Sequence, residues 1–537
     1  MKKIGFLFGA GAEISYGMPS GGTFALDIFR QDTADCKKEF KDMRSEIDLM
    51  SAYASEWLPS GFKEKNVGTF GQSVFENIIK DTIEHNRSKV INNLNTLDDK
   101  AQIIAEELRN NHQIDIKKNF NAITGRKLDN THMNQVIAFT EEFKDGNKLF
   151  ESTYFSSLLL VYKERKKITE LVRHQLGTII IAIIQLQIGA LSECLARKIN
   201  DSPFSKKDDD IDIFDDLGSI IQLNYSLAGT TGMEYLLNLH MEVPGQDNNE
   251  RCILLFAQKL LESIFSNVID YKSLVDSYWH YLYCPSTEWG KFCKICIFLL
   301  TVRSYIIKKC NDVNAENRGY YDDLEKLADF GLEISAIATT NYTNLISKKV
   351  KKLALNEKIH YLNGSTEIWY DPYVNTIGYK NEFEDKEKHF IVPLLFTQSG
   401  TKPMTSIHML KEYVSVFDSF ENSDIICVIG FGFNPDDEHI NGILRELVDQ
   451  GKKLVIIMIK GNKSADEMSQ DLAKRLKTIN RENIQTILVD SERKNDDVLW
   501  IEKVSNMICI LLYRILQFLR HLESWRFNLP MFLKIGS

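Results

Sequence analysis

Four short segments carry residue types suited to holding a phosphorylated ligand. They are Gly9-Ala10-Gly11-Ala12, Thr339-Thr340-Asn341-Tyr342, Tyr361-Leu362-Asn363-Gly364-Ser365, and Gly430-Phe431-Gly432-Phe433 followed by Asp436-Asp437. The first follows an apolar run at residues 2–8 and leads through Gly17-Met18-Pro19-Ser20-Gly21-Gly22 into a helical pattern from Thr23. A strand that breaks at glycines and restarts as a helix gathers backbone N–H groups and a positive helix end at one point, where a diphosphate binds. The same pattern also serves as a plain structural turn, and the loop alone leaves both readings open. At the fourth segment the glycines would let the backbone approach a ribose, with Asp436 or Asp437 accepting from its hydroxyls. The alternative there is a turn with two helix-capping aspartates and no ligand.

The elements around these segments set the expected architecture. Apolar runs at 333–338, 358–362, 390–396, 424–429, 452–459 and 483–489 alternate with short helical patterns. That texture predicts a parallel sheet with helices on both faces. The N-terminal strand needs partners, and these later strands are the natural ones. We therefore expect a discontinuous Rossmann-like α/β domain over 1–27 and 328–495, split by an all-helical insertion over 28–327. Residues 97–110 and 251–269 show helical periodicity with polar faces. Residues 496–537 are expected to form a C-terminal packing or oligomerisation helix, apolar over 507–522 but broken by Arg514, Arg520 and His521.

Composition narrows the class. At 44% hydrophobic and 26% charged residues the chain reads as globular, and 537 residues predict two or three domains. The net charge of −9 argues against a general nucleic-acid surface. Nine cysteines without a signal-peptide pattern point to a reducing cytoplasm. Residues 175–192 lack formal charge, yet Gln175, Gln185 and Gln187 interrupt them and no aromatic belt flanks them, so a buried helix is expected rather than a membrane span. The acidic stretch from Asp208 to Asp216 reads as a solvated linker, without the glycine and distal glutamate of a calcium loop.

In order and content the four segments resemble the sirtuin superfamily. Gly9, Ala10, Gly11, Gly17 and Pro19 match its glycine loop; Thr339 and Asn341 match Thr-x-Asn; Leu362 and Gly364 match Leu-His-Gly; and the Gly430 turn is similar to the late ribose-binding turn. The resemblance spans about 200 residues and leaves out the insertion and the tail. Deacylase members carry a four-cysteine zinc ribbon. Here Cys293 and Cys296 form a lone pair inside a helical pattern, and Cys284 and Cys310 lie at unsuitable spacings, so no zinc is expected. The Met-Pro-Ser-Gly loop, the Thr-Thr-Asn-Tyr motif and the Gly-Phe-Gly-Phe turn resemble bacterial SIR2-like proteins of antiviral defence. That resemblance implies hydrolysis of NAD⁺ to nicotinamide and ADP-ribose, depleting NAD⁺ in an infected cell.

It also implies roles. Asn341 and Asn363 would be catalytic, Asn341 presenting its amide to ribose hydroxyls and the attacking water. Gly9, Ala10, Gly11, Ala12, Pro19, Ser20, Thr339, Thr340, Gly364, Gly430, Phe431 and Asp437 would hold the nucleotide. On its own, Asn341 reads as a cap of the following helix; within the constellation it reads as catalytic. Two positions depart from the family: Asn363 replaces the catalytic histidine, and Thr343 stands where many members have aspartate. Asparagine takes no proton at neutral pH, but the leaving nicotinamide is already cationic, and a base contributes only about 10²–10⁴-fold. His360 lies an odd number of residues from Asn363 on a strand and should face away; His439 is better placed to substitute. Two functions stay open. One is an NAD⁺ hydrolase regulated by homo-oligomerisation or a partner defence protein. The other is a catalytically weak module that senses NAD⁺ or ADP-ribose.

Overall fold

A computed structural model describes residues 2–131, 148–190, 229–395 and 406–507, apart from the single positions 20, 86, 270, 315, 354, 356, 357 and 462. The chain is mixed α/β. Its strands of three or more residues, in chain order, are β1 (Lys2–Phe8), β2 (Leu332–Thr339), β3 (Ile359–Tyr361), β4 (Gly364–Asp371), β5 (Thr376–Tyr379), β6 (Val392–Leu395), β7 (Ile425–Ile429), β8 (Lys453–Ile459) and β9 (Ile484–Val489). Six of them form one parallel sheet in the order β3-β2-β1-β7-β8-β9. Counting only those six, this is the 3-2-1-4-5-6 order of a doubly wound nucleotide-binding sheet.

Strand β1 sits at the centre, with Leu7 opposite Ala338 on one side and Val428 on the other. Alternation sends its side chains to both faces. Phe6 and Phe8 point to one face, where Phe6 meets Trp500 edge-on at 6.2 Å and Phe8 meets Tyr321 at 5.0 Å. Gly5 points to the other, and a Cβ there would come within 2.6 Å of the Phe420 ring. Glycine thus lets the helix Ile407–Glu421 lie directly on the strand.

The run at 390–396 is a correction. Its strand, β6, lies outside the parallel sheet and pairs antiparallel with β4, Tyr370 opposite Val392, in a separate sheet ordered β5-β4-β6. A continuous apolar run marks burial on both sides but not the partner. Here one covering layer is the helix Trp289–Asp312, whose Phe292 packs against Phe390 at 5.4 Å.

Between β1 and β2 the described residues carry helices and no strand. The long helices include Leu97–His112, Glu170–Ala190, Asn249–Val268 and Trp289–Asp312. Ile179, Ile180 and Ile183 of Glu170–Ala190 are fully buried. Among the described residues no helix is long and apolar enough to cross a membrane. Cys293 and Cys296 lie buried on the helix Trp289–Asp312 as free thiols, that of Cys293 pushed up to about 12 by burial. The acidic stretch at 208–216, Ser20 and residues 508–537 of the expected C-terminal helix lie outside the described residues.

Candidate functional site

The four segments converge. Each follows the C-terminal end of a strand in the consecutive set β3-β2-β1-β7, and backbone hydrogen bonds lace the ends together. Thr340 N–H donates to Phe8 O at 2.9 Å, Leu362 N–H to Thr339 O at 2.9 Å, and Gly9 N–H to Ile429 O at 2.8 Å. The order in which strands are added to the sheet reverses between β1 and β7, and in open parallel sheets ligands bind at such a switch point. A cavity of about 490 Å³ opens there, within the range of small-molecule sites. Ala10, Met18 and Pro19 from the first loop line it, with Thr340, Asn341, Tyr342, Thr343, Asn363, Gly430, Phe431, Asn434 and Asp436.

The glycines act differently from the expectation. Gly11 N–H donates to Gly430 O at 3.0 Å and Ala12 N–H to Gly9 O at 3.0 Å, so the amides of Gly9, Gly11 and Ala12 are engaged inside the protein rather than offered to a diphosphate. Ala10 is the member of that quartet on the cavity wall. Glycine is required here by loop-on-loop packing. A Cβ at Gly9 would fall 2.6 Å from Gly430 O, and one at Gly11 2.8 Å from Gly430 Cα. Gly430 itself has φ +67, and its Cβ would meet Ala12 N at 2.2 Å.

Asn341 is buried beside the loop. Its Nδ2 donates to Gly9 O at 3.1 Å and to Tyr321 Oη at 3.1 Å. Both amide hydrogens are thereby engaged, which leaves Oδ1 as the atom able to accept from a ligand. The cap reading fails, because the following helix Leu345–Lys349 begins at Asn344 and the Asn341 side chain goes to Gly9 instead. Asn363 is also buried and lines the cavity, its Nδ2 3.4 Å from Thr340 O.

Several expected contacts are displaced. Thr339 is fully buried beneath the site, its Oγ1 accepting from Asn341 N–H at 3.0 Å. Gly364 packs against β6, where a Cβ would reach Leu394 O at 1.9 Å, and it is absent from the cavity lining. Asp437 is fully buried, while Asp436 and Asn434 face the cavity in its place. In a single 3₁₀ turn, Pro435–Asp437, neighbouring carboxyls diverge by about 120°, so only one of the pair can face the ligand. Neither caps the helix Glu438–Asp449 through its side chain. His360 Nδ1 pairs with Glu412 Oε2 at 2.7 Å, away from the cavity. His439 packs edge-on against Tyr413, 5.7 Å between centroids, outside the cavity lining; Tyr413 Oη in turn donates to Leu362 O at 2.5 Å.

Two features escaped the sequence reading. First, residues remote from the motifs complete the cavity: Phe24, Lys89, Ser266, Asn267, Ile269 and Ile306. Lys89 is the one cation and Asp436 the one acid among the described lining residues. Second, Glu13, on the 3₁₀ segment Ala10–Tyr16, is 3% exposed directly behind Asn341 and Thr343. Its Oε1 accepts from Thr343 Oγ1 at 2.5 Å and from Tyr321 Oη at 2.8 Å. Burial raises its carboxyl from 4.5 to about 7, and the hydrogen bonds from Thr343 and Tyr321 only partly offset this. No sequence pattern marks a lone glutamate in a loop as buried.

Comparison with known proteins finds no match among family models, curated proteins or solved structures.

Proposed function

We propose that this chain is a sirtuin-type NAD⁺ hydrolase that releases nicotinamide and ADP-ribose and acts in antiviral defence by depleting NAD⁺. The observation that carries the reading is the convergence of Asn341, Asn363, the Gly9 loop and the Gly430 turn on one cavity at the switch point of a parallel sheet. The motif order supplies the reaction; the cavity supplies a place for it.

Cleavage of the bond between nicotinamide and ribose builds positive charge on the ribose. Asn341 Oδ1, its amide held by Gly9 and Tyr321, would accept from a ribose hydroxyl or the attacking water and place a partial negative charge beside the cation. Asn363 would hold the ribose by hydrogen bonds and take no proton. Ala10 N–H and Lys89 would face the diphosphate, and Asn434 and Asp436 the second ribose. Control by homo-oligomerisation or by a partner protein belongs to the same proposal, because an unrestrained NAD⁺ hydrolase would be toxic to its own cell.

A sensor of NAD⁺ or ADP-ribose is the second reading. Asn363 in place of a titratable residue favours it. The deciding measurement is nicotinamide release from NAD⁺ by the purified chain and by Asn341→Ala. Release that Asn341→Ala abolishes supports the hydrolase. Nucleotide binding without release, alone or in any assembly, establishes the sensor.

A further inference from the structure

We infer that Glu13 is the proton acceptor of this site and that it acts through the Thr343 hydroxyl, so that the pair performs the task which Asn363 cannot. The inference rests on the hydrolase reading and adds to it a positioning and relay residue that no motif marks. Thr343 lines the cavity and Glu13 does not, so the carboxyl lies one hydroxyl away from any ligand. Their contact, 2.5 Å from Thr343 Oγ1 to Glu13 Oε1, is short for a hydroxyl–carboxyl hydrogen bond. On the same Oε1, Tyr321 Oη donates at 2.8 Å while accepting from Asn341 Nδ2 at 3.1 Å. The carboxyl therefore connects to the cavity by two routes, through Thr343 and through Tyr321 and Asn341.

The step balances. Water oxygen forms a bond to ribose C1′ as the bond from C1′ to the nicotinamide nitrogen breaks, and the electron pair leaves with neutral nicotinamide. The water proton passes to Thr343 Oγ1 while the Thr343 proton passes to Glu13 Oε1. Glu13 ends neutral and returns its proton along the same hydroxyl once the products leave.

The surrounding groups leave Glu13 free to titrate alone near neutrality. They are Tyr16 on its own segment, Tyr321 on Tyr320–Asp323, Cys310 on Trp289–Asp312 and Tyr361 on β3. Burial drives Tyr16 and Tyr321 well above the usual phenol range and pushes Cys310 and Tyr361 up to about 12. All four stay neutral where Glu13 loses its proton, at about 7. Beyond them, Asp322 and Lys349 pair with each other at 3.4 Å around the Tyr16 ring.

The test compares nicotinamide release from about pH 5 to about pH 9 for the wild type, Glu13→Gln, Thr343→Ser and Thr343→Val, with ADP-ribose affinity measured on each. Glutamine keeps the acceptor and the shape but takes no proton. The expected result is a wild-type kcat that falls on the acid side with a midpoint at about 7. Glu13→Gln should lose about 10²–10⁴-fold in kcat at unchanged ADP-ribose affinity and should lack that acid limb. Thr343→Ser, which keeps the relaying hydroxyl, should keep the acid limb and turn over well above Thr343→Val, and Thr343→Val should match Glu13→Gln. An acid limb that persists in Glu13→Gln, or Thr343→Val behaving as Thr343→Ser, overturns the relay and leaves the hydrolase standing. Wild-type protein that binds ADP-ribose and releases no nicotinamide overturns both.

Discussion

Asn341 Nδ2 donates to the carbonyl oxygen of Gly9 at 3.1 Å, tying the end of β2 to the end of β1 across 332 residues of sequence. That bond fixes the amide and joins the two halves of the cavity.

Asn341→Ala should therefore affect activity and stability by separable amounts. Loss of a preorganised acceptor at the developing cation predicts a fall of about 10²–10³-fold in kcat. Removing a buried hydrogen-bond donor should cost about 1–3 kcal/mol in unfolding free energy. Kinetics and a denaturant titration of the same variant check both. A stability loss with unchanged turnover would remove Asn341 from the reaction.

Gly430→Ala tests the packing of the two loops. At φ +67, with Ala12 N only 2.2 Å from the added methyl, neither strain nor space is tolerated. The backbone strain alone costs about 1–2 kcal/mol. The expected outcome is a lower Tm and loss of nucleotide binding. Gly442→Ala is the control: its added methyl meets nothing within 4 Å, on the helix Glu438–Asp449, and should stabilise by roughly 0.5–1 kcal/mol.

Glu13 predicts a pH signature in stability that is independent of turnover. The folded protein holds this proton up to about 7, while the unfolded chain releases it near 4.5. Stability is therefore lost as pH rises from about 4.5 to about 7 and is level above, the reverse of a salt-bridged carboxylate. At about 1.4 kcal/mol per pH unit, the loss is of order 3 kcal/mol. Thermal unfolding should show Glu13→Gln matching the wild type near pH 4.5 and exceeding it above about 7. A difference that does not change with pH would refute the assignment.

Lys89 tests whether the helical region shares the ligand. As the one cation among the described lining residues, it should contribute through charge to a diphosphate. Lys89→Ala should raise the KM for NAD⁺ about tenfold, of order 1.4 kcal/mol, and leave kcat in place. The effect should shrink in high salt and vanish for nicotinamide riboside, which lacks phosphate.

Much of the sheet was legible because parallel core strands are short, apolar and spaced by helices. The expected run at 424–429 became Ile425–Ile429, and that at 452–459 became Lys453–Ile459. Strand β4 was not legible: Gly364-Ser365-Thr366-Glu367 opens it with residues that read as a turn, and its apolar half follows only from Ile368. The positions around the cavity were legible as strand ends, yet their roles were not. Asp436 and Asp437 are equivalent in sequence and are separated by the geometry of one turn. Glu13 resembles any loop glutamate until Tyr321, from 308 residues away, closes over it.

The central place of β1 also constrains how the chain is made. Strand β1 leaves the ribosome ahead of Leu332–Thr339 and Ile425–Ile429, which flank it and are synthesised hundreds of residues later. At roughly 5–20 residues per second, Lys2–Phe8 waits about 20–80 seconds until both of its neighbours have been made. An apolar strand exposed for that long is a target for aggregation or chaperone capture. The cavity cannot exist until β7 docks, so a nascent or truncated chain lacking residues beyond about 430 would carry the glycine loop without a site.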